Sequence, residues 1–114
     1  DDVFQTMVTP VGAAMGAVND VKDSAPPRDE FENHLTAMAE SIPALGWVGV
    51  DSKPVSFVGD MAGAGEFYLN KVLTQFKGTD SAALHRDWVA SVKAMYDDLK
   101  AYIKQWHTTK LSWK

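Results

Sequence analysis

The chain has 114 residues, enough for one domain and too few for two, and 46% of them are hydrophobic, so a packed core is within reach. It has no cysteine, which excludes disulfides and thiolate metal sites. The 15 acidic and 11 basic residues give a net charge of −4 with no basic block, which argues against nucleic acid or an anionic membrane as partner, and no stretch approaches the roughly 20 apolar residues of a membrane span.

Four helical segments are predicted. The first covers about residues 1–21, where Val3, Phe4, Met7, Val8, Val11, Met15 and Val18 follow the spacing of one helix face. Asp1 and Asp2 suit an N-terminal dipole, and Pro10 removes one internal hydrogen bond, so a kink is expected near Met7–Pro10. Gly12 and Gly16 would let another helix come close. After Asp2 the segment has no charge until Asp20, so it lacks a strongly polar face.

"DSAPPRDE" breaks the pattern. A second helix is expected over about 27–42, with Phe31, Leu35, Met38 and Ile42 as its apolar stripe. "SIPALGWVGVDSKP" carries two prolines and two glycines and reads as an irregular connection, packed down by Leu45, Trp47, Val48 and Val50. The third helix covers about 54–76, with Ser52 as N-cap and Gly78 as stop. Val58, Met61, Gly65, Tyr68, Leu69, Val72 and Phe76 share a face, and "GDMAGAGEF" suggests a tight helix crossing. The fourth, about 81–106, has Trp88, Val92, Met95, Tyr96, Leu99, Tyr102, Ile103 and Trp106 as its stripe, so Trp88, Leu99, Ile103 and Trp106 are expected in the core. Beyond it, "HTTKLSW" reads as a helix stop followed by an extended strap anchored by Leu111 and Trp113. No segment alternates as a strand does. The fold class is all-α, an antiparallel helical bundle in a single domain.

Chemistry is sparse. His34, His85 and His107 lie on different segments with no HxxxH or HExxH spacing, so a structural or surface role is expected for each, with no bound transition metal and no cofactor. The adjacent Asp97 and Asp98 point about 100° apart on a helix and suit a solvated face. No phosphate-binding loop, nucleophile elbow or converging acid–base set occurs, so no enzyme is expected.

The particular words go further. "HLTAMAESIPALGWVGV" (34–50), "KPVSFVGDMAGAGEFYLNKVLTQFKG" (53–78), "DWV" (87–89) and "LKAYIKQWHTTKLSW" (99–113) closely resemble the N-terminal helical folded domain of the cyclase-associated proteins. The family pattern runs from an HLSA-type start through ALGWV, KP, FYTNRVLKEYK and DWV to an HTTG ending. This chain departs from it at Leu69 (usually Thr), Lys71 (Arg) and Lys110 (Gly). Lys71 keeps the charge but loses the bidentate fork.

The resemblance implies part of a six-helix bundle starting at its third helix, hence a fragment of a larger N-terminal domain. It implies a cytoplasmic, cytoskeleton-associated binding module that works with cofilin to promote actin filament disassembly at pointed ends. The alternative is a signalling scaffold that binds adenylyl cyclase or self-associates as a dimer through the Gly12/Gly16 face. Family-matching residues outside the core stripes are the candidate partner contacts: Glu40, Ser41, Lys53, Pro54, Asn70, Lys71, His107, Thr108 and Thr109.

Overall fold

The computed structural model describes residues 2–111. They form four α-helices, α1 (Asp2–Ser24), α2 (Glu32–Ser41), α3 (Pro54–Phe76) and α4 (Ala82–Trp106), with a 3-10 helix, η1 (Ile42–Gly49), between α2 and α3. The expected all-α bundle is what forms. Three local expectations change. Pro43, Gly46 and Gly49 do not leave 42–49 irregular: Pro43 sits in the first turn of η1, where its missing N–H costs nothing. Helix α2 begins five residues later than its pattern suggests, after turns at 25–31 in which the Asp29 carboxylate accepts from the Phe31 N–H (3.1 Å). The residue capping α3 is Lys53 in the left-handed region (φ 53°), not Ser52, and no side chain bonds the helix start. At the other end Gly78 adopts φ 79°, the turn that a glycine makes at little cost.

The helices run up and down. The end of α1 lies beside Leu35 and its beginning beside Leu45–Val48, so α1 is antiparallel to α2 and its start reaches η1. Phe76, at the end of α3, meets His34 and His85, near the starts of α2 and α4, so α3 runs against both. Helix α1 packs on α2 and η1; α3 packs on α2, η1 and α4. The backbone of α4 comes near α3 alone, and two side-chain hydrogen bonds carry it across to α2.

The core lies around α3. Val58, Leu69 and Val72 from α3 meet Ala37 from α2, Ala44 and Trp47 from η1, and Val89, Val92, Tyr96 and Ile103 from α4. The α3 face is the expected one. The α2 face is not: His34, Ala37 and Ser41 are buried, while Phe31 is exposed and Leu35, Met38 and Ile42 are half-buried. A small-residue face lets α3 approach. A Cβ on Gly65 would lie 2.7 Å from the Ala37 carbonyl oxygen and 2.8 Å from Ser41 Cβ. The other glycines of that run, Gly59 and Gly63, have nothing within 4 Å, so Gly65 alone makes the tight crossing.

The α4 expectation is half right. Ile103 is fully buried, but Trp88 and Leu99 are half-buried and Trp106 is 60% exposed. The apolar pattern is wider than one face. His85, Val89, Val92, Tyr96 and Ile103 take the core side, and Leu84, Met95, Tyr102 and Trp106 point away from it. Helix α1 buries no residue at all; Val3 and Met7 are exposed, and Phe4, Val8, Val11, Met15 and Val18 are half-buried against α2 and η1. Its helix continues through Pro10.

Candidate partner-binding surfaces

Two of the nine candidate contacts are not available to a partner. Ser41 is 1% exposed, and Pro54 is among the fully buried side chains. Ser41 lies at the α2–α3 crossing. Its hydroxyl donates to the Ala37 carbonyl (2.7 Å) and accepts from the Tyr96 hydroxyl (2.8 Å), which ties α4 to α2 over the top of Gly65. Burial raises the Tyr96 phenol above its usual range, and the Ser41 hydrogen bond draws it partly back. Pro54 is the first residue of α3, where a proline fits without loss. Their family-like words reflect packing, which a sequence pattern cannot tell from recognition.

Of the other seven, His107 is half-buried and the rest are exposed, in more than one place. Lys53 and His107–Thr109 share the η1 end of the bundle. A Cβ on Gly46 would meet the Phe57 ring at 3.8 Å, and the Trp47 and His107 rings are 5.4 Å apart. The tail after α4 is a capped stop: the His107 N–H donates to the Ile103 carbonyl (2.7 Å), and the Thr108 hydroxyl donates to the Lys104 carbonyl (2.7 Å). Leu111 then packs on the core, while Trp113 lies outside the described residues. Glu40 is exposed near the end of α2.

Asn70 and Lys71 are exposed on α3 and belong to an open groove of about 440 Å³ with Asn33, Phe67, Thr74 and Gln75. Gln75 organises one wall. Its amide donates to the Glu30 carbonyl (3.0 Å), and its side-chain oxygen accepts from Asn33 (3.2 Å), so the start of α2 is held against α3. The Lys71 ammonium sits 4.6 Å from the Phe67 ring centre and 5.4 Å from that of Tyr68, within cation–π range. Phe67 is itself 56% exposed. A cation, an exposed aromatic face and three amide side chains can grip a protein segment that offers carboxylates and backbone groups; no acid–base pair faces them. Sequence reasoning named Asn70 and Lys71 but missed Phe67, whose signal was its place one residue outside the buried stripe.

A second groove, about 350 Å³ and apolar, lies between α1 and η1, with Phe4, Met7, Val8 and Val11 facing Leu45, Trp47, Val48 and Leu111. Among the described residues, no three metal-binding side chains converge and no helix is long and apolar enough to cross a membrane. His34 and His85, expected apart, are brought together in the interior with His34 Nε2 and His85 Nδ1 2.9 Å apart.

Known proteins share this pattern. The model of the CAP N-terminal domain matches residues 1–111. The mouse adenylyl cyclase-associated protein 1 is 46% identical over 84 residues, 74% of this chain and 17% of that protein. The human adenylyl cyclase-associated protein 2 is 49% identical over 81 residues, 71% of this chain and again 17% of the relative. The chain thus spans about a sixth of the length of these relatives. A crystal structure of the N-terminal domain of CAP, described as indicating variable oligomerisation, superposes with a TM-score of 0.89 at 36% identity, covering 99% of this chain and 60% of its own. The N-terminal domain of the Dictyostelium discoideum adenylyl cyclase-associated protein gives 0.88 at 36% identity, covering 100% and 63%. With a matching family model over nearly its whole length and the same helical architecture, the chain belongs to the CAP N-terminal domain family.

Proposed function

We propose that this chain is a non-catalytic, cytoplasmic binding module of actin filament turnover, acting with cofilin on filament pointed ends. The observation that carries the reading is the family match over residues 1–111, because the family resemblance implies that role. The groove on α3 supports it physically. Phe67, Asn70 and Lys71 fall inside the stretch that matches the family's FYTNR word, and they form an aromatic and cationic surface suited to a protein partner. Glu40, Lys53 and His107–Thr109 are proposed as further contacts at the η1 end. The chain would be one part of a larger N-terminal domain. The test is filament disassembly imaged with and without cofilin. The wild-type chain should speed filament loss in the presence of cofilin, and a Phe67→Ala/Lys71→Ala variant with an unchanged helical spectrum should lose most of that effect. Equal activity of the variant would remove the groove from the contact.

A second reading is self-association, with or without capture of an adenylyl cyclase. It is favoured by one observation: Val3, Met7, Leu84, Met95, Tyr102 and Trp106 leave apolar surface on α1 and α4 uncovered. A two-fold dimer through the Gly12/Gly16 face of α1 would cover part of it; neither glycine has a neighbour within 4 Å that would block a second helix.

A further inference from the structure

We propose that His34 and His85 form an acid-sensitive clasp that holds the start of α2 against α3 and α4 and opens when the pair takes up a proton. His34 is 9% exposed and His85 8%, and the bond between His34 Nε2 and His85 Nδ1 is 2.9 Å long. Few links join α2 to α4, whose backbones do not approach each other; the Ser41–Tyr96 bond lies about two helical turns further along α2.

The chemistry of the bridge makes it a sensor. His34 Nδ1 is buried with no hydrogen-bond partner. A bare lone pair is cheaper to leave alone than an N–H, so His34 Nε2–H donates and His85 Nδ1 accepts. An added proton then has two places to go within the bridge. On His85 Nδ1 it sets N–H against N–H at 2.9 Å. On His34 Nδ1 it makes a cationic donor with no acceptor. The surroundings offer neither relief. Phe31, Phe76 and Trp88 enclose the pair, with the Phe76 and His85 rings stacked at 3.5 Å. Attraction of an imidazolium to these faces offsets part of the cost but supplies no acceptor.

On the segments that flank the pair, the charged residues are Asp20, Lys22 and Asp23 on α1, Arg28, Asp29, Glu30 and Glu32 before and in α2, Lys77 and Asp80 between α3 and α4, and Arg86 and Asp87 on α4. Asp29 spends a carboxylate oxygen on the Phe31 N–H, Lys22 is half-buried, and the rest are exposed to water. What moves His34 is its burial and then the nearby His85, both of which lower its pKa from 6.5. The sign follows. A histidine with a lowered folded pKa prefers to be neutral in the fold, so its stabilisation is complete above 6.5 and is lost as pH falls through the lower folded value.

Opening has a defined consequence. The segment released carries Glu30 and Asn33, which Gln75 holds as one wall of the α3 groove. Acid would therefore loosen that wall, whatever partner the groove takes. The test combines ring-resolved NMR titration with amide hydrogen exchange, corrected for intrinsic rates, between about pH 8 and about pH 5, where imidazoles titrate. The His34 ring should titrate below 6.5. Protection of the amides at Leu35 and nearby in α2 should fall by about an order of magnitude across the range, faster than that of α3 residues such as Val72. His34→Asn, which removes the titrating ring but keeps a side-chain donor for His85 Nδ1, should flatten this profile, and His107→Gln should leave it unchanged. Wild-type protection that ignores pH, or a His34→Asn profile as steep as the wild type, overturns the proposal. If His34→Asn does not fold, the wild-type ring titration decides alone: a His34 ring titrating at 6.5 or above overturns the clasp.

Discussion

Gly65 is the residue on which the helix crossing depends. Its missing side chain lets the Ala37 carbonyl and Ser41 come within 2.7–2.8 Å of where a Cβ would be, and the nearest of these atoms is backbone, which cannot swing away. Gly65→Ala should therefore cost about 1–3 kcal/mol through overpacking and weaken the Ser41–Tyr96 bond. Gly63→Ala, two residues away in open space, should instead stabilise the chain by about 0.5–1 kcal/mol, because alanine loses less backbone freedom in a helix. Urea denaturation of both variants checks the pair, and a loss of the same size at both positions would remove the special role of Gly65. The sequence made a tight crossing legible in "GDMAGAGEF" but could not say which glycine makes it, since all three lie on one small-residue run and only the neighbouring helix distinguishes them.

At the scale of the element, α4 shows how one apolar pattern divides between two faces. Ile103 is fully enclosed, so Ile103→Ala should cost about 2–5 kcal/mol. Trp106 is 60% exposed, and Trp106→Ala should change stability by less than about 1 kcal/mol. A larger loss at Trp106 than at Ile103 in thermal or chemical denaturation would contradict this assignment. The α2 stripe inverts for a related reason. Hydrophobicity marks Phe31, Leu35, Met38 and Ile42, but the face turned to α3 is the small one, because at a crossing as close as that of Gly65 a leucine has no room. Periodicity identified each helix and its approximate span. Which arc of a broad apolar surface is covered depends on the neighbours.

The whole molecule is long and thin, 49 × 29 × 17 Å between Cα atoms. Its shortest dimension is about two helices thick, since helix axes pack 8–10 Å apart. Its radius of gyration, 15.8 Å, exceeds the roughly 13 Å usual for a compact domain of this length. With α1 resting on one side of the bundle and α4 at the other, apolar residues remain uncovered at both flanks. A surface of that kind favours association in water. Sedimentation of the isolated chain should show a weight-average mass that rises with concentration, and Met7→Asp with Trp106→Asp should reduce the rise. A monomer at every concentration would show that the exposed residues are tolerated singly.

The helical class, three of the four helix spans to within a few residues, the apolar face of α3 and the family were legible along the chain, because helix periodicity and local wording are properties of the residues read in order. The rest depended on how the helices pack. The connection after α2 became a 3-10 helix because its apolar residues could be packed against α3. Ser41 and Pro54 moved from candidate contacts to the interior, and Trp106 moved out of the core. His34 and His85, 51 positions apart, met only because the starts of α2 and α4 both lie at the end of α3. Distances across the chain follow from how helices pack on one another, and no spacing within a single helix carries that information.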